Sequence, residues 1–131
     1  MSVQLNHTIV HATDRAATAA HLADVLGLPE PTTYGPFLVV ELANEVSLDV
    51  MEVARAQPQH YAFLVGEDEF DAIHGRILEQ GLEFWADPSH RRSGEINTND
   101  GGRGLYWNDP SGHNLEILTV PYGGWPDPRQ A

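Results

Sequence analysis

Cysteine is absent from this 131-residue chain, and so is lysine: all seven basic residues are arginine. The first absence excludes disulfides, thiolate nucleophiles and Cys-rich zinc sites. Basic residues are few altogether, Lys+Arg 7 against Asp+Glu 19, for a formal net charge of −12. Such a surface repels phosphate backbones, so neither nucleic acid nor an anionic membrane is an expected partner. No apolar run approaches the ~18 residues of a membrane span. The N-terminus passes straight into strand pattern without a basic and then apolar leader, so a soluble cytoplasmic protein is expected. A chain of this length can bury the core of one domain, whereas halves of about 55 residues would each be marginal alone.

What the chain does have is an internal repeat, which weighs more on fold than any single motif. Leu5-Asn6-His7-Thr8-Ile9-Val10-His11 and Gln59-His60-Tyr61-Ala62-Phe63-Leu64-Val65 both alternate like strands. A helix-length segment follows each and ends in Gly27-Leu28 or Gly81-Leu82. Each half closes on an apolar run with one inserted acid, Ser47-Leu48-Asp49-Val50-Met51 and Asn114-Leu115-Glu116-Ile117-Leu118. The spacing predicts strands near 5–11, 31–34, 37–42 and 46–53 around a helix over 14–26 capped by Thr13 or Asp14. In the second half it predicts strands near 59–65, 83–86, 104–108 and 114–119 around a helix over 68–80. Asp109-Pro110-Ser111-Gly112 is a turn signal, since Pro presets one dihedral and Gly frees another. Each half reads βαβββ. The expectation is an α+β chain of one domain over 1–131, with modules at 1–56 and 57–120 and an irregular tail at 121–131. The long polar stretch between Asp87 and Gly104 is of a length that is usually functional or disordered.

His7 and His60 coincide when the halves are superposed, and Glu116 is the sole charge in its apolar run. A carboxylate on a buried strand face must be neutralised, paired or coordinated. Two imidazole nitrogens and one carboxylate can hold a divalent ion on one face, leaving the opposite positions open. That ligand set is the facial triad of non-haem Fe(II) oxygenases, and Mn(II), Zn(II), Ni(II) and Co(II) fit it too. Against this stands the plain reading that a histidine in a strand is more often a satisfied core or rim residue.

Leu5-Asn6-His7, Gln59-His60-Tyr61-Ala62-Phe63 and Gly104-Leu105-Tyr106-Trp107-Asn108-Asp109-Pro110-Ser111-Gly112-His113-Asn114-Leu115-Glu116 together resemble the vicinal oxygen chelate superfamily. Glyoxalase I, bleomycin and fosfomycin resistance proteins and type I extradiol dioxygenases belong to it. The resemblance spans residues 5–119 and implies paired βαβββ modules whose eight strands form a U-shaped cup around a metal. It also implies a small-molecule substrate and a homodimer, often with each cup built from modules of two chains. His7, His60 and Glu116 fall on the three metal positions, with Fe(II) as the implied metal. The implied reaction is dioxygenase-like, on a small aromatic or polyketide-like substrate that chelates through vicinal oxygens. Redox-neutral chemistry of glyoxalase, isomerase or thiol-transferase type is one alternative. A non-catalytic antibiotic-binding resistance protein is another, although the resistance proteins of that kind lack the ligands.

Tyr106 stands ten residues before Glu116, where the superfamily's dioxygenases and fosfomycin enzymes tend to place a substrate-facing tyrosine. A packed strand tyrosine is the equal alternative. Asn97-Thr98-Asn99-Asp100 is similar to the His-Thr-Asn-Asp run of extradiol enzymes, with Asn97 replacing the histidine, and Asn99 is a candidate catalytic residue. The acid–base histidine those enzymes keep some fifteen residues before the second metal histidine has Glu45 in its region here. His11, on the face of His7, is either an acid–base group or a rim residue. Ile9 replaces the threonine of fosfomycin enzymes, Trp125 lies near their phosphonate-binding arginine, and no lysine lines an oxyanion pocket. Asp49 is a candidate fourth ligand by repeat alignment. His113 is better explained by its turn, and His21 and His74 are expected to face solvent. Arg91, Arg92 and Arg103 either anchor the long loop or bind an anionic substrate. Trp85, Trp107 and Tyr122 either line a pocket or pack.

Overall fold

A computed structural model describes residues 2–124, so Trp125 and most of the expected tail lie outside the described residues. The chain divides into two compact units. One runs to Pro58 and includes Asp109–Gly112; the other holds Gln59–Asn108 and the chain from His113. No helix among the described residues is long and apolar enough to cross a membrane.

In unit one, β1 (His7–Ala12) leads into α1 (Arg15–Leu26), followed by β2 (Thr32–Tyr34), β3 (Phe37–Glu41) and β4 (Ser47–Glu52). The sheet order is β1-β4-β3-β2, with β1 parallel to β4 and the other pairs antiparallel. Asp14 caps α1 by accepting from the Ala17 amide at 3.1 Å, and Gly27 ends it at φ 70, a left-handed value that suits glycine. Thr18, Ala19, Leu22, Ala23 and Val25 are buried, and α1 contacts β1, β3 and β4. Strand alternation then sorts the sheet: Val10, Ala12, Val40, Leu48 and Val50 are buried, while His7, Ile9 and His11 on the opposite face are exposed. The turn Asp109–Gly112 joins this unit although it lies far along the sequence. Its Ser111 hydroxyl accepts from the Thr13 amide at 3.2 Å and sits 3.0 Å from the Thr18 hydroxyl.

Unit two repeats the plan with β5 (His60–Leu64), α2 (Glu67–Glu79), β6 (Gly104–Asn108) and β7 (Asn114–Leu118), in sheet order β5-β7-β6. The strand expected at 83–86 contracts to isolated bridges at Trp85, which exchanges both backbone bonds with Tyr106, at 2.9 and 2.8 Å, and also bridges Ser93. Its neighbours are claimed by the loop, Phe84 accepting from the Gly94 amide and Ala86 donating to Arg92. Asp87-Pro88 then ends the extended run. Phe70, Ile73 and Ile77 form the buried stripe of α2. Arg103 binds that helix through Glu67 and Asp71, both at 2.8 Å, and lies over the Phe70 ring. The arginine therefore anchors structure.

His74 and His21 do not face solvent as expected. Both are half-buried, because the side of each helix that meets the core is wider than its apolar stripe. The His74 Nε2 is buried without a hydrogen-bond partner, and its ring lies edge-on to Phe84. Burial lowers its pKa from the ordinary 6.5, and nearby Arg103 adds to the effect while Asp71 opposes it. Burial likewise lowers His21, against Asp109 and Asp24. A lowered folded pKa means that the unfolded chain takes the proton more readily. The associated stability is complete above pH 6.5 and is lost as pH falls through the lowered folded value. Urea midpoints at about pH 7.5 and about pH 5.5 should therefore differ, and His74→Leu should narrow the difference. An undiminished acid loss in the variant would refute the assignment.

Candidate metal centre

The same register appears in both units. His7 pairs with Ser47 as His60 pairs with Asn114, and Asp49 lies between Ile9 and Val39 as Glu116 lies between Ala62 and Tyr106. Paired residues point to one side of a sheet, and i and i+2 share a face. His60, Glu116 and Tyr106 are therefore placed together on one face of unit two. Leu105, Trp107, Leu115 and Ile117 are buried on the other.

His60 Nε2 lies 3.0 Å from Glu116 Oε1, and the His60 ring stacks on Tyr106 at 5.9 Å between centroids. His60 Nδ1 is 2.8 Å from the Asn114 carbonyl, which only accepts. Nδ1 therefore carries a proton, and in the neutral ring Nε2 turns its lone pair toward the carboxylate. Acceptor then faces acceptor, an arrangement that calls for a proton or a metal cation between them. Neighbouring donors on an octahedral ion with bonds of about 2.1 Å stand about 3.0 Å apart. The pair thus fits a divalent metal by donor type, separation and the second hydrogen bond that metal-binding histidines use for orientation. Glu116 is only 2 % exposed, so its charge demands such compensation.

Tyr122, beyond the last strand, completes the cluster. Its hydroxyl donates to Glu116 Oε1 at 2.8 Å and Oε2 at 3.0 Å, and stands 3.4 Å from the Tyr106 hydroxyl. Burial first, then the bond to Tyr122 and the charge of Glu116, push the Tyr106 phenol far above its ordinary pKa of 10.0. Burial and the bond to Glu116 raise Tyr122 as well, opposed by its bond to Tyr106. Both phenols keep their protons near neutral pH.

His7, exposed on β1 in unit one, contacts the Asn6 side chain at 2.7 Å through Nδ1, and His11 is exposed on the same strand. Asp49 accepts from the Ser47 hydroxyl at 2.7 Å. Among the described residues no group of three or more His, Cys, Asp or Glu gathers as a metal site. Asn99 is exposed in a short turn, with its amide on the Asn97 side chain. Asn97 is buried and donates to the Ala86 carbonyl at 2.8 Å; a Cβ on Gly104 would come within 2.9 Å of it, so glycine is required there. His113 is fully buried and accepts from the Gln59 amide at 3.0 Å. The long loop is fastened by His90, which stacks on Trp85 at 3.8 Å and reaches the Asn114 side chain at 2.9 Å. Tyr122 as a partner of Glu116 was not legible in sequence, because no periodic pattern extends past β7.

No protein-family model matches the chain. It is similar to the solved structure of oxidase ChaP-H1, at 68% identity and TM-score 0.92, covering 94% of this chain and 100% of that one. Metallothiol transferase FosB of Shouchella clausii is 35% identical over 98 residues, which are 72% of this chain and 61% of FosB. The chain thus matches less than two thirds of that relative's length. A glyoxalase/dioxygenase from Nostoc punctiforme shares the fold, at 21% identity and TM-score 0.68 over 90% of this chain and 91% of that one. The chain belongs to the vicinal oxygen chelate superfamily.

Proposed function

We propose that this chain is a metal-dependent enzyme of dioxygenase-like type, with His60, Glu116 and His7 as the ligands of one Fe(II). His7 would come from the same chain or from a second copy in a homodimer. The observation that carries the reading is the buried Glu116 carboxylate set 3.0 Å from a histidine nitrogen whose other nitrogen is already bonded. The name oxidase, borne by a structure 68% identical to the chain, supports an oxidative reaction. When bound, the metal would act as Lewis acid and template for a substrate that offers two adjacent oxygens, such as a small aromatic or polyketide-like enediol.

The chain's own residues do the rest. Asn114 holds the His60 ring by its carbonyl, and the ring face packs on Tyr106. Tyr106, kept protonated by its surroundings, serves as a hydrogen-bond donor to a substrate oxygen and not as a base. His11 and Asn99 remain candidates for proton transfer and substrate contact. Anaerobically purified protein should carry about one Fe per chain, give a charge-transfer band with catechol as Fe(III), and consume O₂ with an enediol. Failure of both the band and O₂ uptake in iron-loaded protein would refute the oxygenase reading. The 35% identity to FosB favours one second reading, redox-neutral thiol transfer on Mn(II), Ni(II) or Zn(II). Thiol consumption without O₂ uptake would establish it.

A further inference from the structure

We infer that Tyr122 is a positioning residue that holds the Glu116 carboxylate in one-oxygen coordination of the metal; this rests on the metal reading above. Three observations carry it. The Tyr122 hydroxyl bonds both carboxylate oxygens, at 2.8 and 3.0 Å. Oε1, the nearer of the two to Tyr122, is also the oxygen that faces His60 Nε2, so a metal shared by the pair would take Oε1 and leave the single phenol proton to Oε2. Glu116 is buried, whereas Tyr122 is 57% exposed. Oε2 cannot turn to water, but the phenol that satisfies it reaches in from the surface.

The consequence is specific. A carboxylate bound through one oxygen leaves a further metal position open, and one bound through two closes it. With the phenol in place, turning Oε2 onto the metal would break its bond to Tyr122 and leave a phenol hydroxyl unsatisfied at the site. Without it, Oε2 loses that donor in a dry setting, and swinging onto the metal becomes a better option. Carboxylate ligands are commonly fixed by an outer hydrogen bond of this kind. Tyr122 lies after the last strand, so removing its hydroxyl leaves both sheets and α2 untouched.

Tyr122→Phe with Co(II) as the probe tests this. Relative to wild type, the variant should bind Co(II) about tenfold more weakly by calorimetry. Its d–d absorption should lose intensity as the second carboxylate oxygen enters the coordination sphere. In chelator its thermal midpoint should fall modestly, because the metal-free carboxylate loses a donor, while its circular dichroism spectrum stays that of wild type, which separates positioning from misfolding. Unchanged affinity together with an unchanged spectrum would overturn the inference. So would tighter binding, which would make the phenol a competitor of the metal. Absence of Co(II) binding by wild type would overturn the metal reading and this inference with it.

Discussion

Replacing Glu116 with alanine is expected to abolish metal uptake while leaving the metal-free protein as stable as wild type, or more so. The first half follows from ligand count: two donors meet in unit two, and deleting the carboxylate leaves that unit a single imidazole, with His7 the one other proposed ligand. Loss of an outer partner alone weakens metal binding by about 10–100-fold, and loss of a ligand exceeds that. The second half follows from burial. Glu116 is 2 % exposed, and holding a carboxylate there costs free energy that His60 and Tyr122 offset in part in the metal-free protein. Replacing a buried charged pair by apolar groups is often neutral or stabilising, and here the partners left behind can turn to water. The His60 side chain is 45% exposed and Tyr122 57%, so water satisfies both. In chelator the two melting curves should therefore coincide or favour the variant. With metal at about 100 times Kd, wild type should gain about 2.7 kcal/mol and the variant nothing. Elemental analysis and paired melts check both halves, and metal retained by the variant would refute the ligand assignment.

Trp107→Ala is expected to be the most damaging single truncation for stability. Trp107 is fully buried on β6, facing the side opposite His60 and Glu116, across the ladder from buried Leu115. Truncating a buried tryptophan costs about 3–5 kcal/mol, through lost transfer energy and the cavity left behind. Against a total of about 5–15 kcal/mol for a typical domain, that is a large share. It should also disturb chemistry indirectly, since Tyr106 is the adjacent residue and presents its phenol from the same strand. The urea midpoint should fall sharply while Trp107→Phe falls less; a loss under about 1 kcal/mol for alanine would refute the core role.

Much of this architecture was legible beforehand, for physical reasons that particular residues show. The alternation in residues 5–11 and 59–65 could bury only one face of each strand. The Asp14 cap and Gly27 stop bounded α1, and the repeat implied one plan used twice, which the two sheets display in identical register. Composition alone removed protein thiolates and disulfides. Periodicity reports a face, however, and not what waits there. His74 and His21, helix residues expected to face solvent, are half-buried instead: Phe84 packs on the one, and burial lowers the pKa of both.

The sequence by itself determined the repeat, the α+β elements, the superfamily and the candidacy of His7, His60 and Glu116, because local periodicity and short motifs are properties of neighbouring residues. Only the tertiary structure decided that His60 and Glu116 meet at 3.0 Å, that Tyr122 bonds both carboxylate oxygens, and that the Asp109–Gly112 turn docks on α1. Those contacts join residues 56, 6 and 93 positions apart, and they depend on strand register, on a turn past the last strand and on one hydroxyl pair. Such contacts are set by how whole elements pack, and no local pattern encodes that.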